Sequence, residues 1–363
     1  MKKVLSFLLA LSMVFALVAC GQPAAETTTP AAPAASEAPA AESPAAETIE
    51  PIVLRFADTD AADSVPGKAG LDFCAMVEER TGGRVKVEYY PASQLGGDKA
   101  IAEDAIAGTI DIAKCSSGNF SQFSSALDWC DLPGLLTGVE HVRAVFTSEY
   151  RDEVNALIME DTGGIALMFD VDCGEPRAIG TTKDKEIRVP SDMNGVKIRS
   201  TGSKIELALF DKWGASSTAL DWGEVYNSLS QNLVDASYNQ VQTFEMNSFG
   251  DILKSITPCN QSWVVTIKFI GPAAIEKLGG LDSELFQIVQ ECALENELWK
   301  DEAFKVANAS SYQNLRDQGV NIVELTDEEM EEWNKASQEI WSQFVGEDKA
   351  ITPEFVEYIQ SFA

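Results

Sequence analysis

Between Gly174 and Asn239 the chain collects the side chains best suited to holding a small anion. Arg177 and Arg199 are planar guanidinium forks, able to pair with a carboxylate at two points. Trp222 offers a flat apolar wall and Asn239 an amide that both donates and accepts. The set contains no obvious nucleophile and no obvious base. Its chemistry is binding rather than bond making.

Other reactive residue types are sparse or scattered. His141 is the single histidine, and no C-x-x-C pair occurs among the seven cysteines, so a zinc site of Cys and His is not expected. Cys74, Cys115, Cys130, Cys173, Cys259 and Cys292 could form disulfides in an oxidising compartment, but their mostly apolar neighbours favour buried small hydrophobes. The G-x-S-x-G nucleophile motif is absent. No cofactor is expected and no catalytic residue is assigned. The formal charge is −30 over 363 residues, and the surface it implies repels nucleic acid and anionic headgroups. An anion site must then be a locally positive pocket, which favours buried arginines over surface lysines.

The elements that must position these residues follow from pattern. Lys2-Lys3 and an apolar run to Leu17 read as a signal peptide, residues 1–19. Leu17, Ala19, Cys20 and Gly21 resemble a bacterial lipobox, which implies a lipid on Cys20 and a membrane anchor outside the cytoplasm. Residues 20–50 are rich in Ala, Pro, Thr, Ser and Glu and read as a disordered tether. Fully extended it reaches on the order of 90 Å. Strands are expected over 52–56, 85–89, 110–113 and 165–170, with helices over 66–80 (Leu71, Phe73 and Val77 inward), 97–107 and 141–160. This alternation predicts an α/β fold with a largely parallel sheet. Helix 203–213 turns Ile205, Leu209 and Trp213 to one side. Asp221 and Glu224 have capping-box spacing, and Trp222 falls in the first turn after them. Lys197 is expected to share a strand face with Arg199. Ser262–Ile270 reads as a further strand. Residues 282–318 place Leu285, Val289, Cys292, Trp299, Ala303 and Val306 at helical spacing, a helix on the order of 50 Å long. Helix 327–345, capped by Thr326 and Glu329, and residues 353–359 finish the chain.

One family fits these residues. V-P-S-D-M-N-G-V-K-I-R, read through Pro190, Asp192, Gly195, Lys197 and Arg199, resembles a block of the TRAP transporter solute receptors, the DctP-like extracytoplasmic binding proteins. Glu224, Val225, Tyr226, Leu229, Val234, Asp235 and Asn239 follow its next block. Y-P-A-S-Q-L-G-G and D-L-P-G-L resemble it too. The pattern covers roughly residues 51–345. The chain departs from it at Arg177, where G-E-P-R replaces G-x-R, and at Asn232 and Ala236, which stand in place of glycines.

The resemblance implies a two-lobe, periplasmic-binding-protein-like fold with a ligand cleft between the lobes. Residues 51–173 are expected to open lobe 1, 174–262 to form lobe 2 and 263–290 to return to lobe 1. The 282–318 helix would brace both lobes, and 319–363 would pack on them. Arg199, Asn239, Trp222, Arg177 and Gln94 would meet the solute, and Asp170 or Asp172 would read an amine if it carries one. The function implied is capture of a small organic acid and its delivery to TRAP membrane subunits by a monomeric, lipid-anchored receptor that is not an enzyme. A receptor for an ABC-type importer shares the lobes and anchor, but the D-M-N-G-V-K-I-R and E-V-Y-N-S-L blocks argue against it. A secreted enzyme is the third alternative.

Overall fold

The computed structural model describes residues 50–296 and 300–363. The signal peptide, Cys20 and nearly all of the expected tether lie outside the described residues. So do Trp299 and the join within the expected 282–318 helix.

In chain order the strands are β1 (Ile52–Ala57), β2 (Val85–Tyr90), β3 (Ile112–Ser116), β4 (Ile165–Pro176), β5 (Ala178–Thr181), β6 (Lys197–Ser200), β7 (Ser216–Ala219), β8 (Ala236–Asn239), β9 (Ser255–Thr257), β10 (Trp263–Ile270) and β11 (Asn321–Ile322). They form two sheets, ordered β2-β1-β3-β10-β4 and β11-β9-β5-β8-β6-β7. The protein is thus α/β with two lobes. In the first sheet β1 pairs parallel with β2 and β3, whereas β10 runs antiparallel between β3 and β4. β10 is the strand that returns from the second sheet, and it reverses the direction of an otherwise parallel array. β3 is buried along its whole length and β10 everywhere but at Trp263, which is why both read as near-continuous apolar runs.

The chain changes sheets three times, from β4 to β5, from β9 to β10 and, through the helices after it, from β10 to β11. β4 is longer than the expected 165–170 strand and carries Asp170 and Asp172 inside it. Cys173 and Gly174 follow with φ of 55° and 60°. The helix Lys300–Asp317 runs along this crossover. Lys300 Nζ donates to Asp170 (2.6 Å), and Asn308 Nδ2 donates to the Cys173 carbonyl (2.9 Å). Leu315 enters the core of the second sheet beside Val225 and Phe244. The preceding helix, Glu284–Asn296, packs Phe286, Val289 and Cys292 into the core of the first sheet.

Several expected elements shift, for local reasons. Residues 141–160 form two helices, Val139–Thr147 and Tyr150–Thr162. Ser148 separates them, because its hydroxyl donates to the Val145 carbonyl and accepts from Tyr150 N–H. The third strand begins at Ile112 rather than 110, and the terminal helix breaks after Gln338 and resumes at Trp341–Phe344. Leu71 is 47% exposed and Val306 68% exposed, contrary to expectation. Each lies two residues, about 200°, from its helix's buried line, Ala69-Phe73-Val77 in one case and Phe304-Leu315 in the other. Thr326 and Glu329 do form a capping box. Asn232 takes φ 58° just past the helix Trp222–Ser230, the left-handed stop that asparagine tolerates. The six described cysteines are unpaired, and five are buried.

Candidate functional site

The carboxyl ends of strands from both sheets converge on one cavity of about 50 Å³, lined among others by Asp60, Asp98, Lys114, Asn119, Arg199 and Asn239. That is room for on the order of four waters at ~10–15 Å³ each.

Arg199 enters from β6. Gly195 turns the chain with φ 77°, and the β6–β7 and β6–β8 pairings then hold the backbone. The side chain is 2% exposed. Its Nε donates to the Leu220 carbonyl at 2.9 Å, and its guanidinium carbon lies 5.8 Å from the Trp222 ring centre. Nη2 is buried and has no hydrogen-bond partner. Burial pushes this guanidinium below its ordinary pKa; Glu206 pulls the other way, and Arg177 adds to the fall. A buried cation with an orphaned donor is a site for a counter-anion.

Arg177 lines the same cavity but is already engaged. Its backbone bridges Ser262 and Asn260 of the returning chain. Nη1 donates to the Tyr238 carbonyl at 3.0 Å, and the guanidinium lies 3.5 Å from Glu206 and 3.9 Å from Asp131. Burial raises the Asp131 carboxyl to about 6 against the pull of Arg177. Glu206 in turn accepts from the Thr201 N–H and hydroxyl. Arg177 therefore contributes a shared charge rather than an open fork.

Trp222 begins the helix Trp222–Ser230, half-buried, with its ring stacked on Phe249 at 5.3 Å and 13°. One side supports the second core and the other meets the cavity. Asn239 ends β8, where its Oδ1 accepts from Gln240 N–H (3.0 Å). Asp221 caps that helix by position alone: its side chain makes no cap bond, so the expected box with Glu224 does not form. Asp221 instead lies against Gly97, where a Cβ would come 3.2 Å from its own. Lys197, two positions before Arg199 on β6, does not line the cavity; it is exposed and donates to the Asn232 carbonyl.

Gln94 does not line this cavity. Its side chain is exposed in the turn 91–96, where Ala92 and Ser93 have φ of 54° and 58°. His141 is buried between Thr137 and the Ile359 carbonyl. Asp170 is paired with Lys300 away from the cavity, whereas Asp172 lines it. Among the described residues no group of three or more His, Cys, Asp or Glu could hold a metal ion, and no helix is long and apolar enough to cross a membrane.

Sequence reasoning reached Asp172 but missed the rest of the first-lobe wall. Lys114 in β3 pairs with Asp60 and reaches Asp172 at 3.3 Å. Asp98 accepts from Ser116 N–H, Asn119 Nδ2 and the Thr59 hydroxyl. A lysine inside an otherwise apolar strand and an acid at the first turn of the helix Asp98–Ala107 were the available signals.

The model of the family described as bacterial extracellular solute-binding protein, family 7, matches residues 56–348. The chain belongs to that family. It is 26% identical over 291 residues to the C4-dicarboxylate-binding periplasmic protein of Rhodobacter capsulatus, covering 79% of this chain and 84% of that protein. It is 24% identical over 271 residues to the 2,3-diketo-L-gulonate-binding periplasmic protein of Escherichia coli, covering 74% and 80%. A TRAP periplasmic solute-binding protein from Sulfurospirillum deleyianum, solved with succinate, superposes with a TM-score of 0.78 at 23% identity, over 87% of this chain and all of that one. The two sheets and the cavity between them are thus the two-lobe architecture of TRAP receptors. Family 7 proteins are receptors that act outside the cytoplasm.

Proposed function

We propose that this family 7 protein binds the carboxylate of a small organic acid in the interlobe cavity and delivers the acid, chemically unchanged, to a TRAP-type membrane transporter. The observation that carries the reading is Arg199, which lines that cavity and keeps a buried Nη2 without a hydrogen-bond partner. Arg199 is the primary clamp. Trp222 walls the solute and excludes water, Asn239 adds a directed amide, and Arg177 adds positive potential through a network with Glu206 and Asp131. The ligands named for its relatives, a C4-dicarboxylate and 2,3-diketo-L-gulonate, support a carboxylate. The mature receptor works as a monomer, held to the membrane by lipid on Cys20. Calorimetry of the bound acid against its uncharged primary carboxamide tests the reading. The amide should bind at least a hundredfold more weakly; equal affinities would refute a carboxylate clamp.

A further inference from the structure

The two walls of the cavity present opposite hydrogen-bonding character. On the second-lobe wall Arg177 and Arg199 can only donate. Asn239 Oδ1 already accepts from Gln240 N–H, which leaves its donating Nδ2 to serve a ligand. On the first-lobe wall the side chains are mostly acceptors. Asp60, Asp98 and Asp172 all line the cavity. Asn119 is fixed in the reverse sense to Asn239, since its Nδ2 donates to Asp98 (2.9 Å) and to Ser116 Oγ (2.9 Å), which turns the accepting Oδ1 outward.

The charges follow the same division. Lys114 is the only cation of the first-lobe wall among the described residues lining the cavity, and it already stands between Asp60 and Asp172. Burial alone would lower its pKa, and Asp60, Asp172 and Asp58 more than reverse that. Burial also raises the carboxyls of Asp60 and Asp172, with Lys114 pulling them down. This wall holds more negative charge than its lysine neutralises. A second solute carboxylate there would be a third anion on Lys114 and a neighbour of Asp98.

We infer that the solute is a monocarboxylate whose far end carries hydrogen-bond donors, hydroxyl or ammonium, rather than a second carboxylate. The inference rests on the assignment of the solute carboxylate to Arg199. With that group on the second-lobe wall, the remainder of the molecule faces Asp60, Asp98, Asp172 and Asn119 Oδ1. Those groups accept from hydroxyls or an ammonium and repel an anion.

Four four-carbon acids differing at the far end separate the possibilities: butyrate, 4-hydroxybutyrate, 4-aminobutyrate and succinate, measured by calorimetry on the intact protein. The hydroxy or amino acid should bind at least tenfold tighter than both butyrate and succinate, and whichever of the two is tighter identifies hydroxyl or ammonium as the donor. Succinate binding as tightly as either would overturn the inference while leaving the carboxylate clamp in place. Heat from none of the four would overturn the clamp and the inference with it. Asp172→Asn supplies an independent arm, because it removes one negative charge with little change of shape. The variant should shift the preference at least tenfold toward succinate; an unchanged order would also overturn the inference.

Discussion

Arg199→Ala should separate binding from folding. In the protein, Arg199 makes one hydrogen bond of its own, Nε to the Leu220 carbonyl, and leaves Nη2 unpartnered in a buried setting. Deleting the side chain loses that bond, worth about 1 kcal/mol, and also removes an orphaned donor whose burial costs about 1–3 kcal/mol. The two offset each other, so the solute-free variant should keep its stability within about 1–2 kcal/mol. Binding behaves differently. A desolvated guanidinium–carboxylate pair that loses one partner costs roughly 3–5 kcal/mol. At about 1.4 kcal/mol per tenfold, affinity should fall at least a hundredfold. Arg199→Lys should recover only part of it, because the charge returns without the planar fork. Denaturant unfolding and calorimetry on one preparation provide the test. A collapse in stability with affinity intact in the folded fraction, or lysine binding as tightly as arginine, would refute the argument.

Gly118 probes the seam between the lobes. An added Cβ would lie 2.8 Å from Thr201 Oγ1 and 3.0 Å from Asp131 Oδ2, so Gly118→Ala should weaken solute binding about tenfold through overpacking; unchanged affinity would show that the seam yields freely. Glu175, buried beside Gln242 N–H and Tyr312, has its carboxyl raised from 4.5 to about 7, chiefly by burial. A raised folded-state pKa contributes stability that is complete below 4.5 and is lost as pH rises toward 7. Glu175→Gln keeps the acceptor without the proton, so its stability relative to the parent should climb by up to about 3 kcal/mol over that window; parallel pH curves would contradict the assignment. Cys20→Ser should move the protein out of the detergent phase of labelled cells, and retention there would refute the lipid anchor.

How much was legible in the sequence depended on how local the cause was. Arg199 follows a glycine turn and a short alternating strand, so its backbone could be placed from V-K-I-R alone. The first crossing between sheets was legible because Gly174 interrupts a long apolar run, and the returning strand was legible as the apolar run that Gly271-Pro272 ends. Apart from Asp172 the first-lobe wall was hidden, since Lys114 and Asp60 are 54 residues apart and meet only when β3 lies beside β1. The same holds for Asp221: the spacing to Glu224 fits a cap, but the contact with Gly97 belongs to the other lobe. Ser148 splits a helix that periodicity carries straight through, because a single side chain takes over the backbone bonds. Gln94 sits in a family-like turn whose two left-handed residues aim it at solvent.

Mass spectrometry of the solute released from protein purified without denaturation identifies what the cavity holds. The released molecule should be a small organic acid, recovered intact and bound in proportion to the protein. A molecule lacking a carboxylate, occupying the cavity in the same proportion, would contradict it.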